Sequence, residues 1–349
     1  MIPLQTIKDA NSTLSTRLPS PVCVFVGGTT GIGSYTLKRL AASTVSPKVY
    51  YIGRTPGNAA ALQKELEEIN PKGTYVFLLC DVLSIKGVDE CCRKINEREA
   101  EINILWLSAG ALRSGMPDTK EGLNWMAAIS YYGQVKFITN LLPLLKRAAA
   151  NGHFTRVIRI LAGGLEKPLD PHDLDMRKGS LIRGRQMHTT ITTVAFDHLA
   201  HENPEISFVH AFAGFVKTEG QKFPGLMSLA IRSVMWIAGS WLLIPEEESG
   251  ERNLFYATSE IYPPATVGAE MAKADKGSEE AKGEGEEVAV GLDGVKGSGC
   301  YTLHWDGTAK SGNKVLLEYR ESGFREKVWE HTLAVYKNIE KQYEKENTA

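Results

Sequence analysis

Val22-Cys23-Val24-Phe25-Val26-Gly27-Gly28-Thr29-Thr30-Gly31-Ile32-Gly33 decides the reading of this chain. Five apolar residues run without a break into a cluster of glycines, and a segment of helical period over residues 32–42 follows. Such a run, closed by glycine, reads as a strand buried on both faces. Glycines at this spacing let the backbone turn tightly and approach a pyrophosphate, which then sits on the unpaired N–H groups of the helix N-terminus. Gly27, Thr29, Gly31, Ile32 and Gly33 are therefore candidate cofactor-binding residues. A tight turn without a ligand is the alternative.

Working outward, the same alternation recurs. Apolar runs at 49–52, 75–79, 104–107, 157–161 and 206–212 are separated by segments of helical period at 59–69, 86–98, 121–147 and 189–201. Pro71, Pro143 and Pro204 punctuate helix ends or entries to the next connection. Six strands with five crossovers predict an α/β fold, a Rossmann-type doubly wound parallel sheet. At the end of the second strand, where a carboxylate would bind the ribose 2′-hydroxyl of NAD, stands Arg54, 21 residues after Gly33. A cation there pairs with a 2′-phosphate, which favours NADP over NAD; a solvated surface arginine is the bland reading.

Beyond the sixth run the pattern changes. Residues 246–256 read as a surface helix with acidic residues at its N-terminal end, where the helix dipole favours them. Residues 268–287 hold seven acidic and three basic residues, many Gly and Ala and no aromatic. So little apolar surface predicts disorder. A strand over 300–305 and a closing helix over 324–343 follow. The expected organisation is a leader at 1–20, an NADP-binding domain at 21–262, a disordered acidic insertion at 263–298, and a strand and helix at 299–349 completing the domain.

Composition sets the outer limits. The chain has 349 residues, 43% hydrophobic and 23% charged, enough for a sizeable core. Lys and Arg total 40 against 41 Asp and Glu, so no field collects phosphate backbones and nucleic acid is not an expected partner. Five cysteines without a C-x-x-C pair argue against a disulfide framework and against zinc. With no apolar signal segment in residues 1–20, a cytoplasmic protein is expected. Residues 226–244 approach the length of a membrane span, but Arg232 near the centre would cost about 2.5 to 3.5 kcal/mol on insertion. A buried or substrate-covering helix is the favoured reading there, with a weak membrane contact as the alternative.

Several motifs in order resemble the short-chain dehydrogenase/reductase family over residues 21–258. Gly27-x-x-x-Gly31-Ile32-Gly33 matches the family's first turn, with Val26 where the family has Thr. Cys80-Asp81-Val82 matches its D-V pair, whose Asp caps the adenine amino group. Leu107-Ser108-Ala109-Gly110 stands where the family has N-N-A-G. Gly214-Phe215-Val216-Lys217-Thr218 resembles P-G-x-V-x-T, in which Val and Thr lie against the nicotinamide carboxamide; Ala213 replaces the Pro. The resemblance adds Asp81, Ala109, Val216 and Thr218 to the cofactor-binding candidates.

The same resemblance locates the family's Asn, Ser, Tyr and Lys positions at Ser130, Ala162, Arg185 and Thr189, so all four catalytic identities are absent under this alignment. The string Tyr132-Gly133-Gln134-Val135-Lys136 precedes the fifth strand rather than following it and reads as a decoy. His188, which could titrate near neutrality, Arg185, which could stabilise an oxyanion, and Tyr131 are the candidate replacements. The segment 166–178, with four carboxylates and His172, reads as solvated turns and no metal site is expected.

These features resemble most a divergent fungal group of the family that accompanies secondary-metabolite pathways. The implied function is an NADP(H)-dependent oxidoreductase acting on an alcohol or ketone of a bulky, apolar metabolite, with a homo-oligomer open. A non-redox isomerase or cyclase on the same fold, or a non-catalytic NADP-binding partner protein, are the alternatives.

Overall fold

The computed structural model describes residues 1–111, 115–178, 181–216, 243–275 and 287–348. Its centre is an eight-stranded sheet of order β3-β2-β1-β4-β5-β6-β7-β8. The strands are β1 (Val22–Val26), β2 (Lys48–Gly53), β3 (Thr74–Leu79), β4 (Ile104–Leu107), β5 (Arg156–Ile160), β6 (Ser207–Ala211), β7 (Cys300–Leu303) and β8 (Ala309–Lys310). All pair in parallel except β8, which is antiparallel to β7. This is the Rossmann-type α/β architecture the apolar runs predict. Chain order reverses between β1 and β4, the point at whose carboxyl edge open α/β sheets place their ligands.

Both faces of the sheet are covered, which is why its strands are apolar throughout rather than alternating. Phe25, Trp106, Ile158 and Val209 face one core with α3 (Gly31–Ser43). Val24, Val26, Leu105, Leu107 and Phe208 face the other with α5 (Ile85–Asn96) and α7 (Gly133–Ala150). Helix α4 (Pro56–Ile69) lies between β2 and β3 in the chain, and α8 (Leu181–Glu202) between β5 and β6.

Several expectations need correction. The leader, for which the sequence predicts no elements, forms α1 (Leu4–Ser12) and α2 (Leu14–Arg17), which bury Ile7, Asn11 and Leu14. The helix expected on the surface, α9 (Glu246–Thr258), is buried from Ser249 onward. Gly250 lets it close on α3, since a Cβ there would lie 2.9 Å from the Tyr35 carbonyl oxygen. Glu251 is carried inside because Arg39 at 2.7 Å and Asn11 at 2.7 Å meet its two oxygens. Only Glu246, Glu247 and Glu248 stay at the N-terminal end, where the dipole argument put them.

The expected disorder fails at its start. Residues Ala265–Asp275 form α10, an alanine-rich stretch with good intrinsic propensity, and Gly268 packs directly against the backbone of Gly297. Residues 276–286 lie outside the described residues. Pro143 does not end its helix but sits inside α7, held by the burial of Leu141, Leu144 and Leu145 around it. The helix expected over 121–147 is split into α6 (Trp125–Ala127), a π-helical turn (Ala128–Tyr132) and α7. The closing helices are α11 (Lys314–Glu321) and α12 (Phe324–Thr348). Among the described residues no helix is long and apolar enough to cross a membrane, and residues 217–242, which include most of the segment 226–244, are not described.

Candidate functional site

Every cofactor candidate in the described residues follows the carboxyl end of a parallel strand, on the connection or in the first turn of the next helix, so the topology gathers them along one edge. The first turn is shaped by close packing. Gly27 has φ +87° and a Cβ on it would strike the Ala109 backbone nitrogen, while a Cβ on Gly33 would strike the Gly27 carbonyl oxygen. The Ser108 hydroxyl, 3.3 Å from that same oxygen, accepts from the Trp106 indole at 2.9 Å and ties the turn to β4. Gly31 takes φ +60°, and Ile32 opens α3 beside it. Thr30, preceding α3, gives no side-chain cap, which leaves the first-turn N–H groups for an incoming anion. Thr29 packs onto Gly53 at the end of β2, where a Cβ would meet its Cγ2 at 2.6 Å.

Arg54 follows at once, exposed and without a hydrogen-bond or ion-pair partner among the described residues. Asp81 is exposed one residue past Cys80, and its carboxylate accepts the Leu83 N–H at 3.1 Å. Arg54 and Asp81 line one cleft of about 410 Å³. A cap-free helix start, a glycine turn with no room for side chains and an unpaired cation fit a phosphorylated dinucleotide. Val216 is buried and bridges to Ile244 at the far end of the edge; Thr218 lies outside the described residues.

The catalytic candidates fare differently. Tyr131 is fully buried on the π-helical turn under α12, and its hydroxyl donates at 2.7 Å to Thr332, whose own hydrogen goes to the Val328 carbonyl. Burial also pushes its pKa up, so the phenol has no access to a substrate and is withdrawn as a catalytic candidate. Tyr132 and Lys136 are likewise engaged: Tyr132 with His331 at 3.1 Å, Lys136 with Asp89 at 3.2 Å and Glu340 at 3.5 Å. Arg185 is exposed near the start of α8. Thr189 is buried and its hydroxyl donates to the Arg185 carbonyl at 2.9 Å.

His188 is 2% exposed, and neither ring nitrogen has a partner among the described residues. Burial, helped by the charge of Arg159, pushes its pKa down to about 4. The expectation of titration near neutrality is therefore overturned. The imidazole is neutral at pH 7 and can only offer or accept a hydrogen bond.

Sequence reasoning missed the group at the centre of this edge. Arg159 is fully buried on β5, and its guanidinium donates to the carbonyls of Leu107 at 3.1 Å, Ala109 at 3.2 Å and Ser130 at 3.1 Å. It thus clamps the β4 turn to the π-helical turn. Burial lowers its pKa to about 9, which still leaves it charged at neutral pH. The available signal was a charged residue inside a run otherwise buried on both faces, which must have hydrogen-bond partners.

A second buried set fixes the turn after β5. The Ala162 N–H donates to His210 Nε2 at 3.3 Å, which places the ring hydrogen on Nδ1, 2.7 Å from Thr193 Oγ1. The Thr193 hydroxyl in turn donates to Glu166 at 2.8 Å, and Glu166 also accepts the Gly164 N–H. Burial raises the Glu166 pKa and lowers that of His210 to about 3. The segment 166–178 is accordingly not all solvated: Glu166 and Asp173 are buried, and Asp173 accepts the N–H groups of Arg177 and Lys178. Among the described residues no three metal-ligating side chains come together.

Residues 21–162 match the family model described as short chain dehydrogenase. The protein named Oxidoreductase AN1596 of Emericella nidulans is 35% identical over 336 residues, 95% of this chain and 97% of its own length. The chain belongs to the short-chain dehydrogenase family. A second relative, Oxidoreductase andH of Emericella variicolor, is 33% identical over 96% of this chain and 97% of its own. Among solved short-chain dehydrogenase-like folds, the Pseudomonas aeruginosa RhlG/NADP active-site complex superposes with a TM-score of 0.55 at 19% identity. It covers 72% of this chain and 94% of that one.

Proposed function

We propose that the protein is an NADP(H)-dependent oxidoreductase acting on an alcohol or ketone of a bulky apolar metabolite in a secondary-metabolite pathway. The observation that carries the substrate class is the character of the loops at the carboxyl edge. Met116 after β4, Leu165 after β5, Ile182 at the start of α8 and Phe215 after β6 are 38%, 48%, 73% and 63% exposed. Four large apolar side chains left in water at the carboxyl edge of the sheet favour an apolar ligand.

When bound, the nicotinamide supplies or accepts the hydride. The chain's part is to hold and orient. The first turn of α3 takes the pyrophosphate, Arg54 the 2′-phosphate and Asp81 the adenine amino group. Arg159 holds the Ala109 turn and the Ser130 carbonyl in one geometry, and the Glu166–Thr193–His210 set holds the turn at Ala162. His188, buried at both ring nitrogens, is neutral and stands inside the fold rather than facing a substrate. Support comes from the fit of the dinucleotide turn and from family membership with two relatives named oxidoreductases.

The non-redox isomerase or cyclase reading keeps weight from one observation. Ala162, Arg185 and Thr189 stand where the alignment reserves Ser, Tyr and Lys, and of the replacement candidates Tyr131 is sealed and His188 is buried with its pKa lowered to about 4. Oxidation of NADPH with a panel of bulky ketones, followed at the reduced-nicotinamide absorbance band, separates the two. Turnover supports the oxidoreductase. Tight NADPH binding with no turnover across the panel overturns it.

A further inference from the structure

The cleft of about 410 Å³ that holds Arg54 and Asp81 is also lined by Cys80, Cys91 and Lys94. Cys80 closes β3 immediately before Asp81, and Cys91 lies in the second turn of α5. The Cys80 Sγ is directed at α5, where it donates to the Gly87 carbonyl oxygen at 3.5 Å, one helical turn before Cys91, and the Cys91 side chain lines the same cleft. Their neighbour Cys92 points elsewhere, into a separate cleft beside Asn140. Two buried thiols thus share the lining of one pocket, with one of them adjacent in sequence to Asp81.

We propose that Cys80 and Cys91 are a peroxide-oxidisable dithiol, a covalent modification site that reshapes the adenine end of the cleft. The inference about binding rests on the dinucleotide reading above; the oxidation itself does not. The neighbouring Cys80 thiol, aided by Lys94, lowers the Cys91 pKa, while the Cys91 neighbour and burial raise that of Cys80. Cys91 is therefore the attacking sulfur. Its thiolate attacks one oxygen of a hydroperoxide, an S–O bond forms, the O–O bond breaks, and the alcohol or water leaves after taking up a proton. The Cys80 sulfur then attacks the sulfenic sulfur and displaces hydroxide, which leaves as water. In sum, two thiols and one hydroperoxide give one disulfide, one alcohol (or water) and one water. A disulfide requires sulfurs ~2.05 Å apart, so the bond pulls the Leu79–Asp81 turn onto α5 and displaces the Asp81 carboxylate. Disulfides of this kind in reducing surroundings are usually transient and redox-sensing.

The test uses the reduced full-length chain. It is treated with hydrogen peroxide, its free thiols are alkylated, and it is digested with trypsin, which can cut at Lys86 between the two cysteines. The expected result is a linked peptide pair joining Cys80 to the Cys91 peptide, reversed by dithiothreitol, absent in Cys91→Ser and retained in Cys92→Ser. Peroxide treatment that leaves Cys80 alkylatable, or a link that survives in Cys91→Ser, overturns the proposal. NADPH affinity of the oxidised protein should fall at least tenfold from that of the reduced protein; equal affinity overturns the effect on the cleft. Failure of the reduced protein to bind NADPH counts against the cofactor reading, while the linked peptide still decides the dithiol.

Discussion

Lowering the pH should cost this protein stability through two buried histidines. His188 and His210 have native pKa values of about 4 and about 3, against 6.5 in an exposed chain. Both are lowered by burial and, second, by the charge of Arg159. Between about pH 6.5 and the native values the unfolded chain holds a proton on each ring that the native state refuses. Stability therefore rises with pH across that window and is lost as pH falls through it. Each ring contributes about 1.4 kcal/mol per pH unit, and about 2 kcal/mol by pH 5, so the pair removes about 4 kcal/mol between pH 7.5 and 5. Glu166 and Asp197 act with opposite sign. Burial raises their pKa values, so the native state takes up their protons first and gains stability as pH falls.

The variant His188→Leu isolates one ring, because that ring has no hydrogen bond to lose among the described residues and the carboxylate contributions cancel in the comparison. Urea unfolding followed by circular dichroism at pH 7.5, 6.5, 5.5 and 5 supplies the measurement. The variant should gain on the wild type by about 1.4 kcal/mol per pH unit below 6.5. Parallel curves would refute the buried, neutral His188.

Other outcomes follow from the packing. Gly33→Ala drives a Cβ into the Gly27 carbonyl oxygen and should cost about 3 kcal/mol. Gly57→Ala in the first turn of α4, where a Cβ meets nothing within 4 Å, should instead stabilise by about 0.5 to 1 kcal/mol. The two thermal shifts should have opposite signs. Tyr336→Phe removes the 2.6 Å bond from the Tyr336 hydroxyl to the Tyr132 carbonyl and should lower stability by about 1 to 1.5 kcal/mol in chemical denaturation.

The sheet was legible because parallel strands covered on both faces must be apolar in unbroken runs, and β1 and β4 have the bounds those runs predict. The glycine turn was legible because a left-handed φ at Gly27 and backbone approach at Gly33 leave no other residue type. What escaped was decided by contacts distant in sequence. The burial of α9 depends on Arg39 and Asn11 meeting Glu251, and no local pattern announces that an acidic helix will be inside. Tyr131 is sealed by Thr332, 201 residues away. His188 looked like a group for neutral pH because sequence carries no desolvation. Arg159 was visible as an anomaly in β5, but its three carbonyl partners belong to β4, its turn and the π-helical turn.

The most direct test of the account is the pair of dissociation constants for NADPH and NADH, measured by fluorescence titration on the wild type and on Arg54→Glu. Loss of a charge-assisted phosphate contact is worth about 1.5 to 3 kcal/mol, or roughly ten- to a hundredfold. NADPH should bind the wild type at least tenfold more tightly than NADH, and Arg54→Glu should weaken NADPH by that factor while leaving NADH within about twofold. Equal affinities for the two cofactors in the wild type, or an unchanged NADPH constant in Arg54→Glu, would contradict it.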